Sequence, residues 1–337
     1  MLVLADGSSA GLNAGRTSAI GLSVPFERVA GSFERERGVE LPRGGAAAPR
    51  LGECHVETAS VGLSRAMPQA SEGENAAALQ SDLAAGAIFD VKGKVVAISG
   101  GGSGIGAMLA AGFCANGARV YIFSRKETAP FAASLSARGP GSCVAVRADL
   151  QNDESLSGLV RLIGDREGRL DVLVNNAGTN YNAPLADVPR KAFEKVVDVN
   201  LTSLFRLTQL CEPLLRRSEA GRVINIASVY GLDPPAMPTH AYSSSKAAVV
   251  MLTRHLAIDL APAITVNALC PGPFHSRMMR ATLAGDGEAM AAQGTLLKRV
   301  GGPVDIVGAA LLLASRAGGY ITGVALPVEG GVLLSKM

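Results

Sequence analysis

Residues 94–113 read KVVAISGGGSGIGAMLAAGF, and their pattern dictates what must surround them. Lys94–Ser99 is a short apolar run carrying the β-branched Val95, Val96 and Ile98 and ending at glycine. That pattern predicts a buried strand about six residues long. Ile105, Leu109 and Phe113 recur every fourth residue, which places them on one face of a helix. Between strand and helix lie Gly100, Gly101, Gly102, Gly104 and Gly106, a turn almost without side chains. Such a turn lets backbone approach a ligand closely and aims the N–H groups of a helix N-terminus at it. A pyrophosphate is the usual occupant, held by those donors and the positive end of the helix dipole. A merely flexible glycine loop would not need this strand, this helix and these glycine offsets together. The stretch therefore predicts a dinucleotide-binding βαβ unit.

Outward from it, the chain alternates regularly. Strand-like runs occur at 94–99, 119–123, 143–146, 170–174, 222–227, 264–269 and 321–328. Helical patterns fill the intervals, as at 153–165, 189–215, 242–260 and 303–314. Apolar strands alternating with amphipathic helices predict an α/β fold: a doubly wound, Rossmann-type parallel sheet of about seven strands with helices on both faces. Ligands of such sheets bind beyond the carboxyl ends of the strands, where strand order reverses. Residues 89–337 are assigned to this catalytic domain. Residues 1–88 are expected to be a low-complexity, poorly ordered extension, rich in Ala, Gly, Ser, Glu and Arg without a sustained period.

Composition narrows the class. The head carries ten acids against seven arginines, and residues 89–337 carry 25 bases against 19 acids. That surplus suits anionic small ligands, while the lack of a dense basic tract argues against nucleic acid. The five cysteines, Cys54, Cys114, Cys143, Cys211 and Cys270, form no CxxC pair and read as buried thiols of a reducing compartment. No run approaches the roughly 20 apolar residues of a membrane span. The segment 7–26 has Arg16 as its one charge amid several hydroxyls, as in an organellar transit peptide, but Glu27, Glu34 and Glu36 follow closely and count against it. A cytoplasmic location is the expectation.

Candidate site residues fall just after strands. Ser124-Arg125-Lys126 closes the second strand 24 residues past Gly100, near where a carboxylate would hold the ribose hydroxyls of NAD. With no acid to repel it, a 2′-phosphate fits there, and Arg125 offers it charge-assisted contacts. NADP(H) is thus the expected cofactor, with NAD(H) admitted. Asp149, followed by Leu150, is placed to meet the adenine amine, although a helix N-cap would look the same. Asn175-Asn176-Ala177-Gly178 follows the fourth strand, either bracing strands or lining the cofactor bed. Ser228 ends the fifth strand, and Tyr242 and Lys246 share one helical face farther on. A phenol of pKa about 10 is a poor catalyst near neutrality. A nearby ammonium and an oxidised nicotinamide would favour phenolate and lower that value.

From about Phe89 onward the chain resembles a short-chain dehydrogenase/reductase. The resemblance rests on the Ser99-Gly100…Gly104-Ile105-Gly106 turn, Asn175–Gly178, Asn200, Ser228, Tyr242 with Lys246, and Pro271-Gly272. It implies reversible hydride transfer between a nicotinamide and a ketone or secondary alcohol. Asn200 is implied to hold a water of the proton relay, Ser228 to orient the carbonyl, and Tyr242 to exchange the proton. Lys246 is implied to bind the nicotinamide ribose, and Pro271, Gly272 and Ser276 to contact the nicotinamide end. Ser99 and Ser103 depart from the family's commoner Thr and basic residue at those places.

The HSRMMR segment and the YITGVALPVEGG ending most resemble the 3-oxoacyl-(acyl-carrier-protein) reductase branch, including rhamnolipid-associated members. Substrate identity is expected in loops 231–241 and 273–300. There Met237, Phe274, Met278, Met279 and Leu283 would form an apolar lid carrying Arg277 and Arg280. Such a lid suits an acyl-like ketone with an anionic or carrier-linked end. Polyol or gluconate-type dehydrogenases are the alternative. A non-catalytic NADP-binding sensor is another, but it would need none of Asn200, Ser228, Tyr242 and Lys246. His240 and His275 flank the expected pocket as loop residues, and no metal site is expected. By resemblance, helices 189–217 and 242–260 would pair across two-fold axes to give a homodimer or homotetramer.

Overall fold

A computed structural model describes residues 79–276, 278–280 and 282–335. All belong to the second of two units into which the chain divides, Gln69–Met337. Of the head, residues 1–78 lie outside the described residues. Residues 79–83 are helical, Ala85–Ile88 makes a further helical turn, and the Arg316 guanidinium donates to the Asp82 carbonyl at 3.4 Å.

Seven parallel strands form one sheet: β1 Val95–Ser99, β2 Arg119–Ser124, β3 Ser142–Arg147, β4 Val172–Asn175, β5 Gly221–Ile226, β6 Ile264–Pro271 and β7 Ala325–Val328. Their spatial order is β3-β2-β1-β4-β5-β6-β7. This is the doubly wound, Rossmann-type sheet expected from the sequence. Eight helices of seven or more residues accompany it among the described residues: α1 Gly104–Ala115, α2 Ala129–Ser136, α3 Asp153–Glu167, α4 Arg190–Val197, α5 Ser203–Leu215, α6 His240–Leu260, α7 Gly287–Gln293 and α8 Pro303–Ala314.

The strands are buried on both faces, so alternate residues feed two cores. Val96 and Ile98 pack with Leu109 and Phe113 of α1 and with Ile306 and Leu313 of α8. Val95 and Ala97 point the other way, toward Leu156 and Ile163 of α3 and Leu207 of α5. Each fully buried Leu, Ile or Phe contributes about 1.5–3 kcal/mol relative to exposure. The helical stripe expected from Ile105, Leu109 and Phe113 is present, with Ile105 half-buried at its open end.

Two elements differ from expectation. The last strand begins at Ala325, not Ile321. Ahead of it Gly323 has φ 75°, Thr322 Oγ1 accepts the Val266 N–H, and Asn267 Oδ1 accepts the Val324 N–H. Side chains thus supplement the two backbone bonds that Gly323 and Val324 make to β6, and the regular ladder starts only at Ala325. The helix expected at 189–215 is broken by a π turn, Asp198–Thr202, with Asn200 at its centre. Such turns are rare and widen a helix locally, often at functional positions.

Chain order reverses between β1 and β4, which lie side by side. The crevice beyond their carboxyl ends is where an α/β sheet takes its ligand.

Candidate active site

The reversal point is fastened by a serine. Ser99 is buried, and its hydroxyl accepts the backbone N–H groups of Asn176 and Ala177, both at 2.9 Å. Asn176 answers by donating to the Ser99 carbonyl at 2.8 Å. These bonds hold the ends of β1 and β4 together and leave the glycine turn hugging them. Gly100 sits at φ 65°, where a side chain is strained. A Cβ on Gly106 would lie 2.5 Å from Asn176 Nδ2 and would also strike the Gly100 carbonyl. The turn is therefore a cradle that only glycine keeps open.

Above it, α1 begins after Ser103 with no side-chain cap on its N-terminal N–H groups. Uncapped donors at the positive end of a helix, beside a turn stripped of side chains, fit the pyrophosphate of a dinucleotide.

A cleft of about 1230 Å³ runs from this cradle across the ends of the central strands. At one end it is walled by Ser124, Arg125 and Lys126 and by Asp149 and Leu150. The Ser124 hydroxyl closes its own turn, donating to the Lys126 carbonyl at 2.9 Å. Arg125 and Lys126 are exposed. Asp149 is not a helix cap: Asn152 fills that place for α3, accepting the Ser155 N–H at 2.7 Å. The Asp149 carboxylate accepts the Gln151 N–H at 3.1 Å and faces the cleft.

The two consecutive asparagines divide their labour. Asn176, with Ala177 and Gly178, lines the cleft. Asn175 is buried and donates to Thr208 Oγ1 at 2.9 Å and to Asn225 Oδ1 at 2.8 Å; Asn225 in turn donates to Thr253 Oγ1 at 2.9 Å. A buried polar chain thus ties α5, β4, β5 and α6 behind the site.

Ser228, Tyr242 and Lys246 meet at mid-cleft. Ser228 leaves β5 and accepts the Tyr230 N–H at 3.2 Å, which fixes the following turn. Tyr242 and Lys246 lie one turn apart on α6, with the ammonium 5.7 Å from the phenol ring centroid. Lys246 is 3% exposed, and its Nζ donates to the Ile226 carbonyl at 2.6 Å.

Burial pushes the Lys246 amine down to about 8, with Cys270 acting weakly in the opposite direction. Burial likewise pushes the Tyr242 phenol up to about 12, against a hydrogen bond with Ser228 that pulls it down and Tyr230, which raises it further. The lowered phenol pKa expected from the sequence counted on an oxidised nicotinamide as well as the ammonium; the chain by itself gives the opposite direction. In the chain alone, desolvation of the phenolate outweighs the hydrogen bond from Ser228. Tyr230 itself stacks edge-on against Tyr242, with ring centroids 6.5 Å apart.

Three expected site residues stand behind the cleft wall: Ser99, Gly106 and Asn200. Asn200 is fully buried. Its Nδ2 donates to the Thr179 carbonyl and to Ser245 Oγ, both at 3.0 Å, and its Oδ1 accepts the Thr179 N–H at 2.8 Å. Both amide hydrogens are therefore taken by protein. Ser245 Oγ donates onward to the Tyr242 carbonyl at 2.7 Å, so the π turn is latched to the first turn of α6.

Pro271, Gly272 and Ser276 line the cleft beyond Lys246, and the Ser276 hydroxyl accepts the Met279 N–H at 3.2 Å. The outer wall is apolar, with Met237, Phe274, Met278, Met279 and Met290. The expected lid is corrected in part. Leu283 and Arg280 are not on the wall, Arg280 being exposed, and Arg277 lies outside the described residues. The sequence reading missed Asn180 and Tyr181 after β4, Lys195 on α4, Tyr230, and Val332 near the C-terminus. The rule that ligands gather at strand ends pointed to the first two. Nothing local in sequence marks Val332, which is held by the Glu329 carboxylate accepting the Leu333 N–H at 2.9 Å and by Ser335 on the Gly294 carbonyl. His275 Nε2 lies 3.1 Å from a carboxylate oxygen of Glu288, and His240 is exposed at the start of α6.

With this geometry in view, comparison with known proteins is informative. A family model described as enoyl-(acyl carrier protein) reductase matches residues 100–333. The rhamnolipids biosynthesis 3-oxoacyl-[acyl-carrier-protein] reductase of Pseudomonas aeruginosa is 40% identical over 250 residues, 72% of this chain and 97% of that protein. The 7alpha-hydroxysteroid dehydrogenase of Escherichia coli is 33% identical, covering 71% of this chain and 94% of that one. Among solved structures, the Pseudomonas aeruginosa RhlG/NADP active-site complex superposes with a TM-score of 0.70 at 39% identity, over 73% of this chain and 98% of that one. A putative NAD(P) dependent gluconate 5-dehydrogenase from Beutenbergia cavernae with bound NADP gives 0.69 at 34%, over 73% and 99%. The parallel sheet, the glycine cradle and the matched span agree, and the chain belongs to the short-chain dehydrogenase/reductase family, as an oxidoreductase of carbonyl and alcohol groups.

Proposed function

We propose that this chain uses NADPH to reduce the ketone of a medium or long 3-oxoacyl-type substrate, with Tyr242 as proton donor. One observation carries this reading: Ser228, Tyr242 and Lys246 face a single cleft between an uncapped glycine cradle and a methionine-rich wall. The turn from Gly100 to Gly106 and the start of α1 would hold the pyrophosphate, Arg125 and Lys126 the 2′-phosphate, and Asp149 with Leu150 the adenine. Asn176 to Gly178, Lys246, Pro271, Gly272 and Ser276 would hold the nicotinamide riboside. NADP in the solved RhlG and gluconate 5-dehydrogenase structures supports that cofactor.

When bound, the nicotinamide supplies the hydride that reduces the carbonyl carbon. Ser228 donates a hydrogen bond to the carbonyl oxygen, and Tyr242 transfers its phenolic proton to the same atom. A phenol held at about 12 carries its proton at neutral pH and so has one to give. The Lys246 ammonium stabilises the phenolate that remains. The Asn200 side chain braces α6 against the π turn, so a relay water at this residue would be held by an oxygen acceptor such as its main-chain carbonyl.

The apolar, adaptable wall supports an acyl chain over a sugar acid. Lys195 at that wall supports an anionic or carrier-linked end, the task expected of Arg277 and Arg280. Exposed Phe205, Met251 and Ile258 on α5 and α6 support a homodimer or homotetramer. No helix among the described residues is long and apolar enough to cross a membrane, and the four cysteines among those residues, free and buried, support a cytoplasmic location. Among the described residues, those lining the cleft lie at or beyond Gly100.

The test is NADPH oxidation against 3-oxoacyl thioesters, 5-ketogluconate and a 7-ketosteroid. A higher kcat/KM for the thioesters is expected. A preference for 5-ketogluconate would move the reading to the gluconate-type branch, and inactivity on all three would favour a sensor.

A further inference from the structure

Beside the adenosine end of the cleft opens a second pocket of about 610 Å³. Arg125 and Arg147 line it, together with Asp149 and with Asn152, Glu154 and Ser155 at the start of α3. Arg147 is the last residue of β3 and pairs in register with Ser124, the last residue of β2. Neighbouring strands lie about 4.8 Å apart. Ser124 stands where an acid would hold the adenosine ribose, and so has one guanidinium next to it in sequence and another next to it across the sheet. Both arginines are exposed, and neither forms an ion pair among the described residues.

We infer that Arg147 is a specificity-determining residue for NADP(H), closing with Arg125 a two-guanidinium clamp on the adenosine 2′-phosphate. The inference rests on the NADP(H) reading above and adds a residue to it. A guanidinium presents two parallel N–H donors to a phosphate edge, so two of them satisfy oxygens that one cannot reach. Glu154 faces the same pocket and opposes anions there. A phosphate monoester, with charge near −2, gains more from two cations than a singly charged group does, and so outcompetes that carboxylate. The ribose of NAD(H) carries no such charge and draws nothing from either arginine beyond a weak hydrogen bond.

The experiment uses the full chain. Dissociation constants of NADPH and NADH are measured by fluorescence titration, and those of adenosine 2′,5′-bisphosphate and AMP by calorimetry, for the parent, Arg125→Gln and Arg147→Gln. Arg147→Gln is expected to weaken NADPH and the bisphosphate by about 10- to 100-fold, with NADH and AMP held within about twofold. Unchanged NADPH binding in Arg147→Gln, with the parent still preferring NADPH, overturns the clamp and leaves the cofactor reading standing on Arg125. Equal loss for all four ligands also overturns it, by marking Arg147 as structural. Equal affinity of the parent for NADPH and NADH overturns the cofactor reading itself.

Discussion

Tyr242 and Lys246 show how far burial governs the chemistry of single residues. Both charged forms are disfavoured, the phenol held near 12 and the amine near 8. Tyr242→Phe keeps the ring and removes the proton. It is expected to cut turnover about 10²–10⁴-fold while cofactor affinity stays, checked by steady-state kinetics with a parallel NADPH titration. Lys246 also gives a signature in stability. Its unfolded value is 10.5 and its folded value about 8, so between these pH values the unfolded chain binds more protons. Stability conferred by this site therefore rises with pH from about 8 to about 10.5, as the buried ammonium is relieved. Below about 8 both states are protonated and the slope vanishes. Thermal unfolding of the cofactor-free parent and of Lys246→Met across that range is expected to show a difference, parent minus variant, that rises with pH, since the buried thiols and phenols titrate in both. Parallel pH profiles would refute it.

At the scale of elements, the site depends on how strand ends and helix starts are pinned. Ser99 is the sharpest case. Its hydroxyl serves two backbone donors of the turn after β4, so Ser99→Ala takes the acceptor from both of these half-buried N–H groups. A loss of about 1–3 kcal/mol is expected, read as a lower urea midpoint at unchanged m. NADPH affinity should fall with it, because Asn176 and the glycine cradle are then held only by the Asn176 amide on the Ser99 and Gly100 carbonyls. Ser99 was foreseen as a cofactor residue from its place before the glycines. The structure puts it behind the wall, where its hydroxyl faces the β1–β4 seam and meets the N–H groups of Asn176 and Ala177. The π turn at Asp198–Thr202 was invisible in sequence for a related reason. Its residues keep the helical period on both sides, and only the latch from Asn200 through Ser245 to α6 rewards the extra residue in the turn.

For the whole molecule, the apolar residues left outside the two cores are the informative ones. Ile258 is 75% exposed and Met251 52% exposed, two turns apart on α6, on a helix whose other face is committed to the sheet. In the proposed oligomer this face is covered. Ile258→Glu with Met251→Glu is expected to lower the mass measured by light scattering to that of a smaller assembly, and an unchanged mass would remove this face from the interface.

What the amino-acid order by itself determined is whatever repeats locally: seven apolar strands, the helices between them, the glycine turn, and Tyr242 with Lys246 on one helical face. Periodicity and φ-permissive residues encode these without help from distant parts of the chain. Only the tertiary structure decided which groups share a space. It brought Lys195 and Val332 to the cleft, kept Arg280 off its wall, bonded the Asn200 side chain to Thr179 and Ser245, and put Arg147 beside Ser124 across two strands. The physical reason is that pairing, burial and the pKa values they impose are properties of neighbours in space, and residues 124 and 147 become neighbours only when the sheet is formed.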